Sequence, residues 1–184
     1  MKIPKTAELS GLDIDRKRAL SEKSSYIENI LRHQLVAELS REAWRIAPLA
    51  SLQVFNSEVD DSGFDLVLSF KGAIRHIQLK QAHDGRMPRD CSIRANFATI
   101  PGACVILMFH SIDDLRLTGF RFFGRRPTEP MPSIENLKTS KSSAKRDKDG
   151  TRKERLNYRN VPVRTFTDSL TSQDLFASLF PSEA

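Results

Sequence analysis

Cysteine is scarce in this sequence. Cys91 and Cys104 are the only two, with no CxxC pair and no histidine at ligand spacing, which excludes a disulfide scaffold and a zinc site. Long apolar runs are missing as well. The longest, Cys104 to Phe109, falls far short of the roughly 20 residues that a membrane-spanning helix needs. The first twenty residues, MKIPKTAELSGLDIDRKRAL, hold no apolar segment of the signal-peptide kind, so a cytoplasmic location is expected. No internal repeat is visible. What is present is a soluble composition, 39% hydrophobic and 28% charged over 184 residues, enough for one well-buried domain. The net charge of +6 is unevenly spread. Residues 121–160 hold twelve Lys or Arg against five Asp or Glu, so this one segment exceeds the surplus of the whole chain. Such a segment is either a local phosphate-facing patch or a charged, solvated loop.

The hydrophobic pattern predicts an α/β protein. A loosely held arm with a short helix over 15–20 precedes a substantial helix from Ser25 to about Trp44. Ile27, Ile30, Leu31, Leu35 and Leu39 form its buried stripe, and Ser25-x-x-Glu28 has the form of a capping box. Strands are expected over 49–55, 64–70, 74–81, 103–110 and 115–123. A short helix is expected over 92–100 and an edge strand over 160–167, because Pro162 cannot donate to a ladder. Asp149-Gly150 offers a second hairpin turn, and an amphipathic helix over 169–180 closes the chain. The run 103–110 is apolar throughout, as in a central strand buried on both faces.

The chemistry concentrates in EVDDSGFDLVLSFKGAIRHIQLKQAH, Glu58 to His83. Leu66, Leu68 and Phe70 alternate with Asp65, Val67 and Ser69. Ile77 and Leu79 alternate with His76, Gln78 and Lys80. Alternation on both sides of Lys71-Gly72-Ala73 predicts a β-hairpin with one polar face. A two- or four-residue loop pairs Asp65 with Lys80 and collects Asp65, Gln78 and Lys80 on that face. A carboxylate, an amide oxygen and the Leu79 carbonyl make a partial oxygen shell for Mg²⁺ (or Mn²⁺). Lys80 is placed to orient a water or to stabilise a phosphorane-like charge. Glu58, Asp60 and Asp61 are further carboxylates in the preceding connection, and His83 follows the hairpin.

At these residues the sequence resembles the PD-(D/E)XK phosphodiesterase superfamily, of restriction-endonuclease-like fold. Asp65 stands at the first acid and Gln78-Leu79-Lys80 at the (D/E)XK triplet, in the D…QxK form of the Mrr-like branch. Phe64 occupies the place of the signature proline, and the neutral Gln78 removes one negative ligand. The resemblance implies an αβββαβ core, a mixed central sheet flanked by helices, here with extra C-terminal strands and a closing helix. The composition divides the chain into an N-terminal arm over 1–20 and one domain over 21–184, nuclease-like on the resemblance, with a basic loop insertion at about 124–157. The resemblance also implies a helix glutamate completing the metal site. Glu28 is assigned that role, with Glu38 and Glu42 as competitors. The expected activity is Mg²⁺-dependent endonucleolytic hydrolysis of DNA in defence or repair. Arg152, Lys153, Arg155 and Arg159, with Tyr158 among them, would grip the backbone. A second copy or a partner protein would supply specificity. The alternative is an inactive module of the same fold that binds nucleic acid or a protein.

Overall fold

A leucine at nearly every fourth position builds the longest helix. In the computed structural model, which describes residues 11–56, 63–141 and 153–181, α1 (Gly11–Glu22) runs through Lys23 into α2 (Ser24–Ile46). Ile27, Leu31, Leu35, Leu39 and Ala43 line the buried face of α2, the four-residue spacing that keeps one side of a helix in register with a core. The predicted arm is therefore helical from Gly11. The Ser25–Glu28 capping box does not form: α2 starts at Ser24 behind Lys23, which makes no side-chain cap, so Ser25 is already inside the first turn. A capping box does form at Thr171, where Thr171 and Asp174 exchange hydrogen bonds at the start of α3 (Ser172–Leu179).

The hairpin is present, in a register shifted by two residues from the expected one. β2 (Leu66–Phe70) and β3 (Ala73–His83) pair Leu66 with Ile77 and Phe70 with Ala73. The turn is thus Lys71-Gly72, both at positive φ (49° and 84°), the conformation that best follows the twist of paired strands. Continued by one residue, the ladder sets Asp65 beside Gln78 rather than Lys80. A shift of two preserves which face each side chain occupies.

Five strands form the main sheet, in the order β1 (Gln53–Asn56), β2, β3, β5 (Ala103–His110), β6 (Leu117–Gly124). β3 and β5 are parallel, and the other neighbours are antiparallel. β4 (Asp90–Arg94), β8 (Glu154–Pro162) and β7 (Thr139–Lys141) make a second sheet in the order β4-β8-β7. Two cores result. On one face of the main sheet, Leu66, Leu68, Ile77, Leu79 and Ile106 pack against the α2 stripe and against Leu175, Phe176 and Leu179 of α3. On the other, Ala103, Val105 and Leu107 pack against Cys91, Ile93, Phe97 and Val161. β5 contributes to both, as its unbroken apolar run predicts.

Three sequence expectations are corrected here. Residues 92–100 are not a helix but the end of β4 and a 3-10 turn, Asn96–Thr99. Cys91 and Ile93 alternate into the second core while Ser92 Oγ donates to Ser140 Oγ at 2.8 Å. A five-residue alternation is too short to be separated from a helical turn by period alone. The β3–β5 crossover consequently lacks the second helix of an αβββαβ order, and a sheet covers the face where a helix layer was expected. Finally, of the strand expected over 160–167 only 160–162 is strand, the end of β8, central in its sheet rather than at an edge; Pro162 is its last residue, and Val163–Thr165 is a 3-10 turn. The expected turn at Asp149-Gly150 lies outside the described residues. Among the described residues no helix is long and apolar enough to cross a membrane.

Candidate metal and phosphodiester site

β3 runs between β2 and β5, so each of its side chains is committed to one core or the other. Arg75, Ile77, Leu79, Gln81 and His83 alternate toward the helices. His76, Gln78, Lys80 and Ala82 alternate toward the second sheet, in rows with Ala103, Val105, Leu107 and Phe109 of β5. Phe64 covers this second face, its ring 5.4 Å from that of His76.

Asp65 brackets Gln78. Its backbone N–H donates to Ile77 O at 2.8 Å, and its Oδ2 accepts from Leu79 N–H at 2.6 Å. The carboxylate thus takes the place of a main-chain carbonyl where the β2–β3 ladder ends. A charge-assisted bond of this length holds one carboxylate oxygen beside the middle of the Gln78-Leu79-Lys80 triplet. Gln78 is only 6% exposed, and its Oε1 is buried with no hydrogen-bond partner among the described residues. Leaving such an oxygen unpaired costs about 1–3 kcal/mol. Lys80 is half-buried opposite Leu107, and its ammonium is felt by the thiol of Cys91. Burial pushes that thiol up to about 11, with the Lys80 charge opposing the rise and Asp90 adding to it. Lys80 therefore faces the second sheet, as Gln78 does.

The residues brought together suit a hard cation in part. A buried amide oxygen with no donor among the described residues, one residue from an N–H that a carboxylate accepts, is a chemical match for Mg²⁺ or Mn²⁺. Among the described residues, however, no group of three or more His, Cys, Asp or Glu is placed to hold a metal. Glu58, Asp60 and Asp61 lie outside the described residues. Glu28 is carried by α2, which packs on the opposite face of the sheet from Gln78 and Lys80. Its competitors have structural roles: Glu38 Oε2 accepts from Ser172 Oγ at 2.8 Å, and Glu42 Oε2 accepts from Arg45 Nε at 2.9 Å. His83 also lies on the helix side of β3.

The basic residues divide. Arg155 stacks over the Tyr158 ring, its guanidinium carbon 3.5 Å from the centroid. Arg159 is folded onto the carbonyls of Glu135, Leu156 and Tyr158 at 3.2, 2.6 and 3.3 Å. Lys153 is exposed just before β8, and Arg152 is outside the described residues. Two arginines escaped sequence reasoning. Arg94, paired with Tyr158 across β4–β8 and 5.6 Å from its ring, passes Gly63, two residues before Asp65. A Cβ on Gly63 (φ +81°) would lie 3.2 Å from Arg94 Cδ. Reading 92–100 as a helix hid this placement. Arg121 on β6 stands in the same row as Leu107 and Lys80, with its Nε buried and unpartnered among the described residues. The alternation of LRLTGFRFF is the signal that marks its face.

The sequence matches no protein-family model, and no curated protein matches it.

Proposed function

We propose that the chain is a metal-dependent phosphodiesterase of the PD-(D/E)XK type, with DNA as its substrate and Asp65, Gln78 and Lys80 as its working residues. One observation carries the reading: Gln78 Oε1 is buried without a donor among the described residues, on the sheet face that Lys80 shares, and the next residue, Leu79, donates its N–H to the Asp65 carboxylate. Asp65 Oδ and Gln78 Oε1, with the Leu79 carbonyl, would hold Mg²⁺ or Mn²⁺. The bound ion would supply charge neutralisation and a more acidic water. Lys80 donates from its ammonium to the attacking water or to a non-bridging phosphate oxygen, countering negative charge as it builds. Arg94 and Arg155, stacked about Tyr158, offer a sequence-independent grip on the flanking strand.

A second reading has its own support. Among the described residues no group of three or more His, Cys, Asp or Glu is placed to hold a metal, and α2, which carries the candidate glutamates, packs on the far face. This favours a nuclease-like module that binds nucleic acid without cutting it. Nicking of supercoiled plasmid with Mg²⁺ or Mn²⁺ separates the two. Cleavage by the wild type that falls at least roughly 100-fold in Asp65→Ala and Lys80→Ala supports the enzyme. Equal background in all three sinks it. Plasmid retention that weakens steeply with salt would then leave the binding module.

A further inference from the structure

Beyond Lys80, β3 turns its next polar side chains to the other face of the sheet, into a cavity of about 590 Å³ between the sheet end and α1. Its polar lining is Lys17, Ser21, Gln81, His83, Arg86 and His110, and no Asp or Glu lines it among the described residues. His83 and His110 are paired on the parallel strands β3 and β5, their rings 6.5 Å apart. Each commits Nδ1 to a carbonyl: His83 to Asp84 O at 2.8 Å, His110 to Ser111 O at 3.0 Å. A ring nitrogen facing a carbonyl carries its proton, so both Nε2 atoms are left to meet a ligand. Gln81 Oε1 is buried with no partner among the described residues. His110 is only 2% exposed, so this is a built recess rather than a surface patch.

We infer that this cavity binds a phosphate monoester, as the phosphorylated end of a nucleic-acid strand. Two permanent cations at the rim, with no carboxylate in the lining among the described residues, disfavour a metal ion and favour an anion. The two imidazole Nε2 atoms donate to phosphate oxygens when protonated and accept from its P–OH when neutral. A terminal P–OH or sugar hydroxyl supplies the donor that Gln81 Oε1 lacks. The volume suits a nucleotide rather than a bare ion. That the phosphate belongs to a nucleic acid rests on the nuclease reading. Lys80 and Gln81 are neighbours on β3 that face opposite sides of the sheet, so the two sites are separated by the strand itself.

The test follows the imidazole proton resonances of the full chain during titration with inorganic phosphate, then with matched 5′-phosphorylated, 3′-phosphorylated and unphosphorylated oligonucleotides. Saturable shifts of His83 and His110 are expected. Affinity should fall roughly tenfold or more in Lys17→Ala/Arg86→Ala, both exposed positions, and one phosphorylated oligonucleotide should bind about tenfold tighter than the unphosphorylated one. Absence of shifts, or equal phosphate affinity in the double variant, overturns the site. Shifts with Zn²⁺ but not phosphate overturn it in favour of a metal. Phosphate binding with no preference for phosphorylated ends overturns the nucleic-acid assignment. The titration is repeated in Asp65→Ala, so that a failed nuclease reading and a failed phosphate site give different results.

Discussion

Two buried polar side chains on the same strand, Arg75 and Gln78, are treated in opposite ways. Arg75 points to the helix face, is wholly buried, and spends its guanidinium on three carbonyls. Nε donates to Leu179 O at 2.6 Å, Nη1 to Arg125 O at 2.6 Å and Nη2 to Ser178 O at 3.0 Å. Burial pulls its pKa below the usual arginine value, and the neighbouring Cys104 offsets this only in part. Its fork ties the last turn of α3, the negative end of the helix dipole, to the hairpin. Gln78, on the other face, keeps a buried oxygen without a donor among the described residues. The contrast separates structure from site. A polar group buried for stability is satisfied by the fold, whereas one left unsatisfied costs free energy unless a ligand completes it.

The comparison breaks most visibly at Arg75. Arg75→Ala removes donors from three carbonyls and should destabilise the fold by roughly 3 kcal/mol or more in denaturant unfolding. Arg75→Lys should recover only a minor part, since a point charge cannot fork to three acceptors. Full recovery by lysine would show that charge, not the bond geometry, matters.

A smaller change of opposite sign is expected at the other residue. Gln78→Leu fills the same volume without an unpaired oxygen, so stability should rise by about 1 kcal/mol, while the proposed metal-dependent cleavage should be lost. A stability loss instead would mean that Gln78 is a structural residue like Arg75.

The smallest effect concerns the thiols, one on each face. Burial holds Cys104 up at about 12 and Cys91 at about 11, against an ordinary 9.0. Because both folded values are raised, their stabilising contribution is complete below about pH 9 and is lost as pH climbs toward 11 and 12. Lys80→Met should raise the Cys91 value toward that of Cys104, read by thiolate absorbance below the alkaline unfolding transition. No change would place the Lys80 ammonium away from the second sheet.

Much of this was legible in the residues. The leucine stripe of α2, the doubly buried β5 and the alternation of β3 each follow from a local period, because a helix or strand must present the same side of its chain to a core over its whole length. The polar face shared by Gln78 and Lys80 followed from that alternation even though the hairpin register was off by two. The cavity between the sheet end and α1 was not legible, since Lys17 of α1 and His110 of β5 meet there only after folding.

By itself, then, the sequence determined which side chains travel together on each element. Only the tertiary structure decided what each face meets. β4 finds β8 across some sixty residues, α2 carries Glu28 to the side away from Gln78, and Arg75 occupies an apolar-parity position because α3 arrives with carbonyls to receive it. Periodicity is a property of neighbouring residues, whereas burial and hydrogen-bond satisfaction depend on partners that lie far along the chain.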